Sequence, residues 1–202
     1  MWIFLAAVFF LLITPGPGVL STAGVGAAYG RAAGHRYVAG LCVGTNLVAL
    51  AVVTGVAALV LARPVLRDVL LIASVAYLFW LALRIALAGR GIAFVGSERR
   101  PGFGDGLALQ AINPKAYVVN TTLFTGFAFD GMSLGAETAW KFLLINLVWV
   151  PIHLAWLAAG IALERLQLSA RRQRLVNLLM ALSLVAVVLL ALFGGGLATH
   201  RS

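Results

Sequence analysis

Charge is scarce in this chain, and negative charge most of all. Of 202 residues, 15 are Lys or Arg and 6 are Asp or Glu. Charged residues make up 10% of the sequence, against roughly 25% in an average soluble domain. Cysteine is scarcer still, with Cys42 alone. A single thiol excludes an internal disulfide and, with it, a secreted disulfide-stapled scaffold. One cysteine and three scattered histidines offer no metal-ligand cluster. No glycine-rich loop runs into Lys-Ser or Lys-Thr, so an ATP site of the P-loop kind is not expected. No cofactor is expected either. Within the apolar stretches there is no Ser/His/Asp set and no close carboxylate pair, which argues against an enzyme.

What fills the chain instead is apolar. Hydrophobic residues make up 62% of it, and the mean hydropathy is +1.03. A soluble domain of this size has no interior large enough to hide that surface, so lipid is the solvent for much of it. A membrane-crossing helix needs about 20 apolar residues, and six of them take up most of the chain. The spans read as Met1 to about Tyr29, Tyr37 to Ala62, Val65 to Ala88, Asp105 to Phe129, Thr138 to Leu163 and Arg174 to Phe193. The first thirteen residues lack the basic start and small-residue cleavage site of a secretory signal, so they read as part of a retained helix.

The net charge of +9 would suggest nucleic acid in a soluble protein. Here the basic residues fall in short connectors, where they set orientation and meet anionic lipid, and no nucleic-acid partner is expected. The odd-numbered connectors carry Arg31, Arg36, Arg84, Arg90, Arg99, Arg100, Arg165, Arg171, Arg172 and Arg174. The even connectors and the tail carry Arg63, Arg67, Lys141 and Arg201. That bias places the odd connectors in the cytoplasm and both termini outside. Asp130 and Glu137 bracket an outer connector and read as solvated.

Three spans in each half force the second half to enter the membrane from the opposite side. This is the arithmetic of inverted-topology repeats. The reading is one transmembrane domain over 1–202, all α-helical. Repeat one covers about 1–90, a cytoplasmic connector about 89–104, and repeat two about 105–195. Each half opens with a span broken by proline.

Those breaks carry the strongest local signal. Thr14, Pro15, Gly16, Pro17 and Gly18 put two prolines and two glycines inside one span. Freed backbone groups in lipid cost several kcal/mol each, so such a segment belongs where it packs on protein or lines a wet cavity. In the fourth span Asn113 is a helix N-cap, Pro114 suits the first helical position, and Lys115 follows. Thr14-Pro15 has the same chemistry. Each break lies roughly 12–20 Å from the start of its span, near mid-membrane. Two half-helix N-termini at one depth would aim bare amides and positive dipole ends into a shared space suited to a carboxylate. Lys115, so deep in lipid, is costly and reads as a site residue that either neutralises a substrate carboxylate or loses its proton during the cycle.

Asn120 lies about two turns beyond Asn113 and can share its face. His153, after Pro151, is a candidate proton relay or a packing residue. Asp105 opens the fourth span as a first-turn carboxylate and is the second relay candidate. Gln110, Thr121, Thr122, Asn46, Thr45 and Asn146 read as interhelical hydrogen-bond glue. Glycines spaced by four at 26, 30 and 34 and at 40 and 44 permit close helix approach, which fits internal packing and also a homodimer.

With these residues in view, the chain resembles the lysine exporter (LysE/RhtB) family of small bacterial amino-acid exporters. Pro15-Gly16-Pro17, Asn113-Pro114-Lys115-Ala116 and the Gly30 to Gly34 connector carry the resemblance over essentially the whole chain. It implies export of amino acids or related small metabolites across a bacterial inner membrane, driven by the proton motive force, with both proline motifs in the translocation site. Members of that family commonly place Asp or Asn directly after Pro-Gly-Pro, where this chain has Gly18. The alternatives are an integral-membrane enzyme acting on lipid and a non-transporting assembly partner.

Overall fold

The computed structural model describes residues 1–63 and 100–166, with isolated positions between 65 and 83 and between 169 and 185. Among these residues the secondary structure is helical. Helix α1 runs Trp2–Ile13 and α2 Pro17–Val53, followed by a short α3 at Val56–Leu61. Helices α4 (Phe103–Ile112) and α5 (Pro114–Thr125) are the two halves of the predicted fourth span. Helix α6 runs Leu134–Arg165 and passes through Pro151. The third and sixth predicted spans, and most of the central connector, lie outside the described residues. By length and composition, Tyr29–Val53 and Leu134–Leu163 are long and apolar enough to cross a membrane. The bent pair Trp2–Ile13 and Pro17–Ala27, with an angle of 53°, makes a third.

The expected loop between the first two spans shrinks to one residue. Gly30 sits at φ 72°, ψ −166° and divides α2 into two helical arms. A positive φ is free of strain only without a Cβ, so glycine can break the helix there in a single step. Both arms pack on α6. The first runs parallel to it, with Gly18 facing His153 and Gly26 facing Leu157 and Ile161. The second runs antiparallel, with Gly34 on Leu157 and Asn46 on Asn146. The chain therefore reverses at Gly30. The second arm ends at Val53, earlier than Ala62, because Gly55 takes a positive φ of 77°.

Helix α4 runs parallel to the second arm, and glycines set the contact on both sides. A Cβ on Gly40 would strike the backbone of Phe103, and one on Gly106 the backbone of Tyr37. The first arm meets α6 in the same way through Gly160 and Ala23. With no side chain between them, the backbones approach closely enough for dispersion to hold them in a medium without a hydrophobic drive. Gly26, Gly34, Gly40 and Gly44 all face neighbours within this chain, so these glycines serve internal packing.

Two apolar clusters flank the centre. One joins Val25, Tyr37, Leu41, Leu109, Trp149 and Leu157. The other joins Phe4, Val8, Val119, Leu123 and Ile145. Large apolar side chains such as Trp2, Phe10, Leu47, Val118 and Leu147 point outward instead. That inversion is expected where lipid replaces water as the surrounding solvent.

Polar residues pin the helices. Asn46 and Asn146 form a reciprocal amide pair, Nδ2 to Oδ1 at 2.9 Å and 2.8 Å in the two directions. Each also donates to the carbonyl four residues back, Cys42 and Phe142. The expected role as glue holds. Replacing either by Ala should destabilise the fold, and a double-mutant cycle should give a coupling of about 0.6–1.7 kcal/mol. Unfolding in detergent reads it, and a coupling of zero would show that the pair contributes nothing.

Lys141 and Glu137 depart from expectation. Lys141, counted with the even connectors, lies inside α6 and is 1% exposed. Its ammonium donates to the carbonyl oxygens of Phe124, at 3.0 Å, and Phe127. It also pairs with Glu137 Oε1 at 2.5 Å. A cation at the C-terminus of α5 satisfies carbonyls that the ending helix leaves bare. Asp130 is exposed, as expected.

Candidate functional site

The two helix breaks meet each other. In the first, Thr14 closes α1 at φ −56°, ψ 126°, and its hydroxyl donates back to Phe10 O at 2.6 Å. Gly16, extended at φ −165°, ψ −179°, is the N-cap of α2, and Pro17 is the first helical residue. The expected cap was Thr14 with Pro15 behind it. The residue before a proline is pushed out of the helical region. Thr14 precedes Pro15 and Gly16 precedes Pro17, so both stay extended and the helix restarts only after the second proline. Gly16 has no side chain, so no side-chain cap reaches the first amides of α2.

The second break follows expectation. Asn113 is extended at φ −80°, ψ 105°, and its Oδ1 accepts from the Lys115 backbone N–H at 3.1 Å. Pro114 takes the first helical position. Asn113 Nδ2 then donates to Gln110 Oε1 at 2.7 Å.

Lys115 joins the two. Its Nζ donates to Thr14 O at 2.5 Å, a contact between residues 101 apart in sequence. Its stem crosses Gly16 so closely that a Cβ there would lie 2.8 Å from Lys115 Cδ. The ammonium thus sits at the C-terminal, negative end of α1 and satisfies a carbonyl that the break leaves free. The cation is matched by backbone rather than by a carboxylate.

Beside this junction is a cavity of about 40 Å³. Of the residues expected at the site, Gly16, Gly18, Asn113, Lys115, Asn120 and His153 line it. Thr14, Pro15, Pro17 and Pro114 shape the two breaks without lining the cavity, Thr14 acting through its carbonyl. Asp105 does not reach it. Its carboxylate accepts from the Gly102 N–H at 2.8 Å and caps α4, about 12 Å of helix away from Asn113. The relay expectation for Asp105 therefore has no support from its position.

Several lining residues were read only as glue or not singled out. Gln110 and Thr45 are buried and face the cavity. Trp149 is buried beneath it and stacks on His153, with ring centroids 3.5 Å apart and an interplanar angle of 14°. Their spacing of four residues on one helix was the available signal. His153 Nδ1 lies 2.9 Å from Trp149 O, so backbone and ring together fix the imidazole. Asn120 Nδ2 donates to Ala116 O at 2.8 Å. Among the described residues no group of three His, Cys, Asp or Glu could hold a metal.

Apolar spans, two facing helix breaks and a polar cavity between them define a membrane translocator. The chain belongs to the LysE type translocator family, whose family model matches residues 9–200. It is 31% identical over 147 residues to an uncharacterized membrane protein of Pseudomonas aeruginosa, covering 65% of this chain and 68% of that one. It is 26% identical over 131 residues to a leucine efflux protein of Enterobacter sp., covering 62% of each. The match therefore spans less than two thirds of that efflux protein's length. No solved structure matches. Translocators of this family are not enzymes, which sets the lipid-enzyme alternative aside.

Proposed function

We propose that this protein exports amino acids or closely related small metabolites across the bacterial inner membrane, as a secondary transporter driven by the proton motive force. The observation that carries the proposal is the Lys115–Thr14 contact, which brings the two breaks together beside a cavity lined by polar groups. The relative named as a leucine efflux protein supports leucine as the first substrate to try.

The arrangement suits inverted repeats. The broken first span runs parallel to α6 and the broken fourth span parallel to the second arm, so each broken span lies beside the middle span of the other half. Asn46 and Asn146 occupy matching spans and bond each other symmetrically. The repeats would carry one transport domain over the chain, with both termini outside as the arginine bias implies.

Size sets the state. Ligand pockets are roughly 300–1,000 Å³, and a water needs roughly 10–15 Å³. A cavity of about 40 Å³ holds a few waters and no amino acid. The conformation is contracted, and the breaks must part to admit substrate. The Lys115–Thr14 hydrogen bond is the link that yields, and Gly16 and Gly18 supply the backbone freedom. The free amides of the α2 N-terminus and the Lys115 ammonium then face the substrate carboxylate. Among the described residues lining the cavity, Lys115 and His153 are the ionisable side chains available to exchange a proton there.

Purified protein in liposomes loaded with labelled leucine and a panel of other amino acids should show efflux that an opposing proton gradient accelerates. Absence of flux for every member of the panel, with and without the gradient, would overturn the proposal.

A further inference from the structure

One corner of the cavity presents hydrogen-bond acceptors with unused capacity among the described residues. His153 is 4% exposed. Its Nδ1 faces the Trp149 carbonyl, which can only accept, so Nδ1 carries the hydrogen. In the neutral ring Nε2 is then a bare acceptor. It has no hydrogen-bond partner among the described residues. Gln110 is 3% exposed and its orientation is fixed by its neighbour. Asn113 Oδ1 is committed to the Lys115 N–H, so Asn113 presents its Nδ2 to Gln110. Only the oxygen of Gln110 can meet that donor, and that oxygen has a second lone pair free.

Both acceptors converge on Gly18. A Cβ there would lie 3.4 Å from His153 Nε2 and 4.0 Å from Gln110 Oε1. Because residue 18 has no side chain, the space it would occupy belongs to the cavity. A donor seated there is within hydrogen-bond reach of His153 Nε2 and meets Gln110 Oε1 after a shift of about half an ångström toward it. Buried acceptors without donors are costly, and the pair invites a group carrying several N–H bonds. Among the described lining residues the other charged side chain is Lys115, on α5. Helix α1 contributes Leu12, α2 contributes glycines, Val19 and Thr45, and α6 contributes Ile145 and Trp149 beside His153. No carboxylate among the described lining residues faces the spot, so hydrogen bonding and the ring lone pair are what would hold a cation there.

We propose that the space over Gly18 is the subsite for the substrate's ammonium group, with His153 Nε2 and Gln110 Oε1 as its acceptors. This rests on the exporter reading and deepens it. An α-amino acid carries its two charges one carbon apart. That separation suits the site once the breaks have parted, with Lys115 on one side and the acceptor pair on another. Gly18 is then a specificity position, since an apolar side chain such as Ala would fill the ammonium's place and supply no acceptor. His153 holds substrate rather than carrying a proton.

Binding of leucine and of its deaminated analogue 4-methylpentanoate to the full chain in detergent tests this. The wild type should prefer leucine by at least about tenfold, the loss expected for one hydrogen bond to a charged group. His153→Phe keeps an aromatic ring on Trp149 but no acceptor. It should weaken leucine binding at least about tenfold and leave 4-methylpentanoate unchanged. His153→Gln restores an acceptor oxygen and should recover most of the preference. Gly18→Ala meets only ordinary contact distances, leaves the imidazole in place, and should also erase the preference. Equal loss for both ligands in His153→Phe would assign His153 to packing and overturn the subsite. So would a wild type that does not distinguish the two ligands. Leucine binding with the expected preference but no flux would sink the exporter reading and leave the subsite standing. Flux with an unaltered amine preference in His153→Phe would do the reverse.

Discussion

Lys115→Met should slow leucine efflux from proteoliposomes at least about tenfold while leaving the stability of the fold near that of wild type. Two opposing quantities of similar size set the stability. A lysine in the apolar interior costs about 2.5–3.5 kcal/mol on insertion scales, and Met removes that cost. The lost hydrogen bond from an ammonium to the Thr14 carbonyl contributes about 1.5–3 kcal/mol. The difference is close to zero. Met also keeps the unbranched stem that packs across Gly16. Transport has no such compensation. The charge that faces the substrate carboxylate is gone, and so is the link that draws the two breaks together. Lys115→Gln separates these contributions, since an amide can still donate to Thr14 O but carries no charge. Efflux should stay slow in that variant. A Met variant that exports leucine like wild type would remove Lys115 from the mechanism.

The sequence makes the local chemistry of this molecule legible and leaves the long-range contacts hidden. Both helix breaks are visible because proline and its preceding residue act on their own backbone. Asn113 and Pro114 behave as the spacing implies for that reason. The first break is harder to read. Two prolines in alternation compete to start the helix, and the second wins because Gly16 must stay extended in front of it. Gly30 shows the opposite difficulty. A single glycine replaces a whole connector, which composition alone does not distinguish from a looser turn.

The contacts that complete the site join distant residues. Thr14 meets Lys115 and Gly18 meets His153. Each partner is noticeable by itself, as a costly lysine or a histidine in lipid, but its role depends on what the fold brings opposite. Lys141 is the clearest case. Its place near the end of an apolar run made it look like an orienting connector charge. In the fold the C-terminus of α5 lies beside it and turns it into a buried cap. Gln110 likewise becomes a cavity residue because Asn113 holds its amide in one orientation.

The largest effect on stability should come from the smallest substitution, Gly160→Ala. The added Cβ would fall on the Ala23 carbonyl, with the Ala23 carbonyl carbon 2.7 Å and Cα 2.8 Å away. These are backbone atoms of a packed helix, so no rotamer change relieves the overlap. The first arm of α2 and α6 must separate along their crossing. Overpacking of this kind costs about 1–3 kcal/mol and here belongs at the top of that range, because backbone must move. The same methyl at Gly135 or Gly104 meets nothing within 4 Å. In a helix Ala is favoured over Gly by up to about 1 kcal/mol, so those two variants should unfold like wild type or slightly later. Gly40→Ala provides the second comparison. Its Cβ would meet the Phe103 carbonyl in the crossing between the second arm and α4. That overlap is also with backbone, so Gly40→Ala should likewise destabilise the fold, by about 1–3 kcal/mol. Denaturant unfolding in detergent measures all four. A Gly160→Ala protein as stable as Gly135→Ala would mean that the helices do not touch at Ala23. A Gly40→Ala protein as stable as wild type would mean that the second arm and α4 do not touch at Phe103.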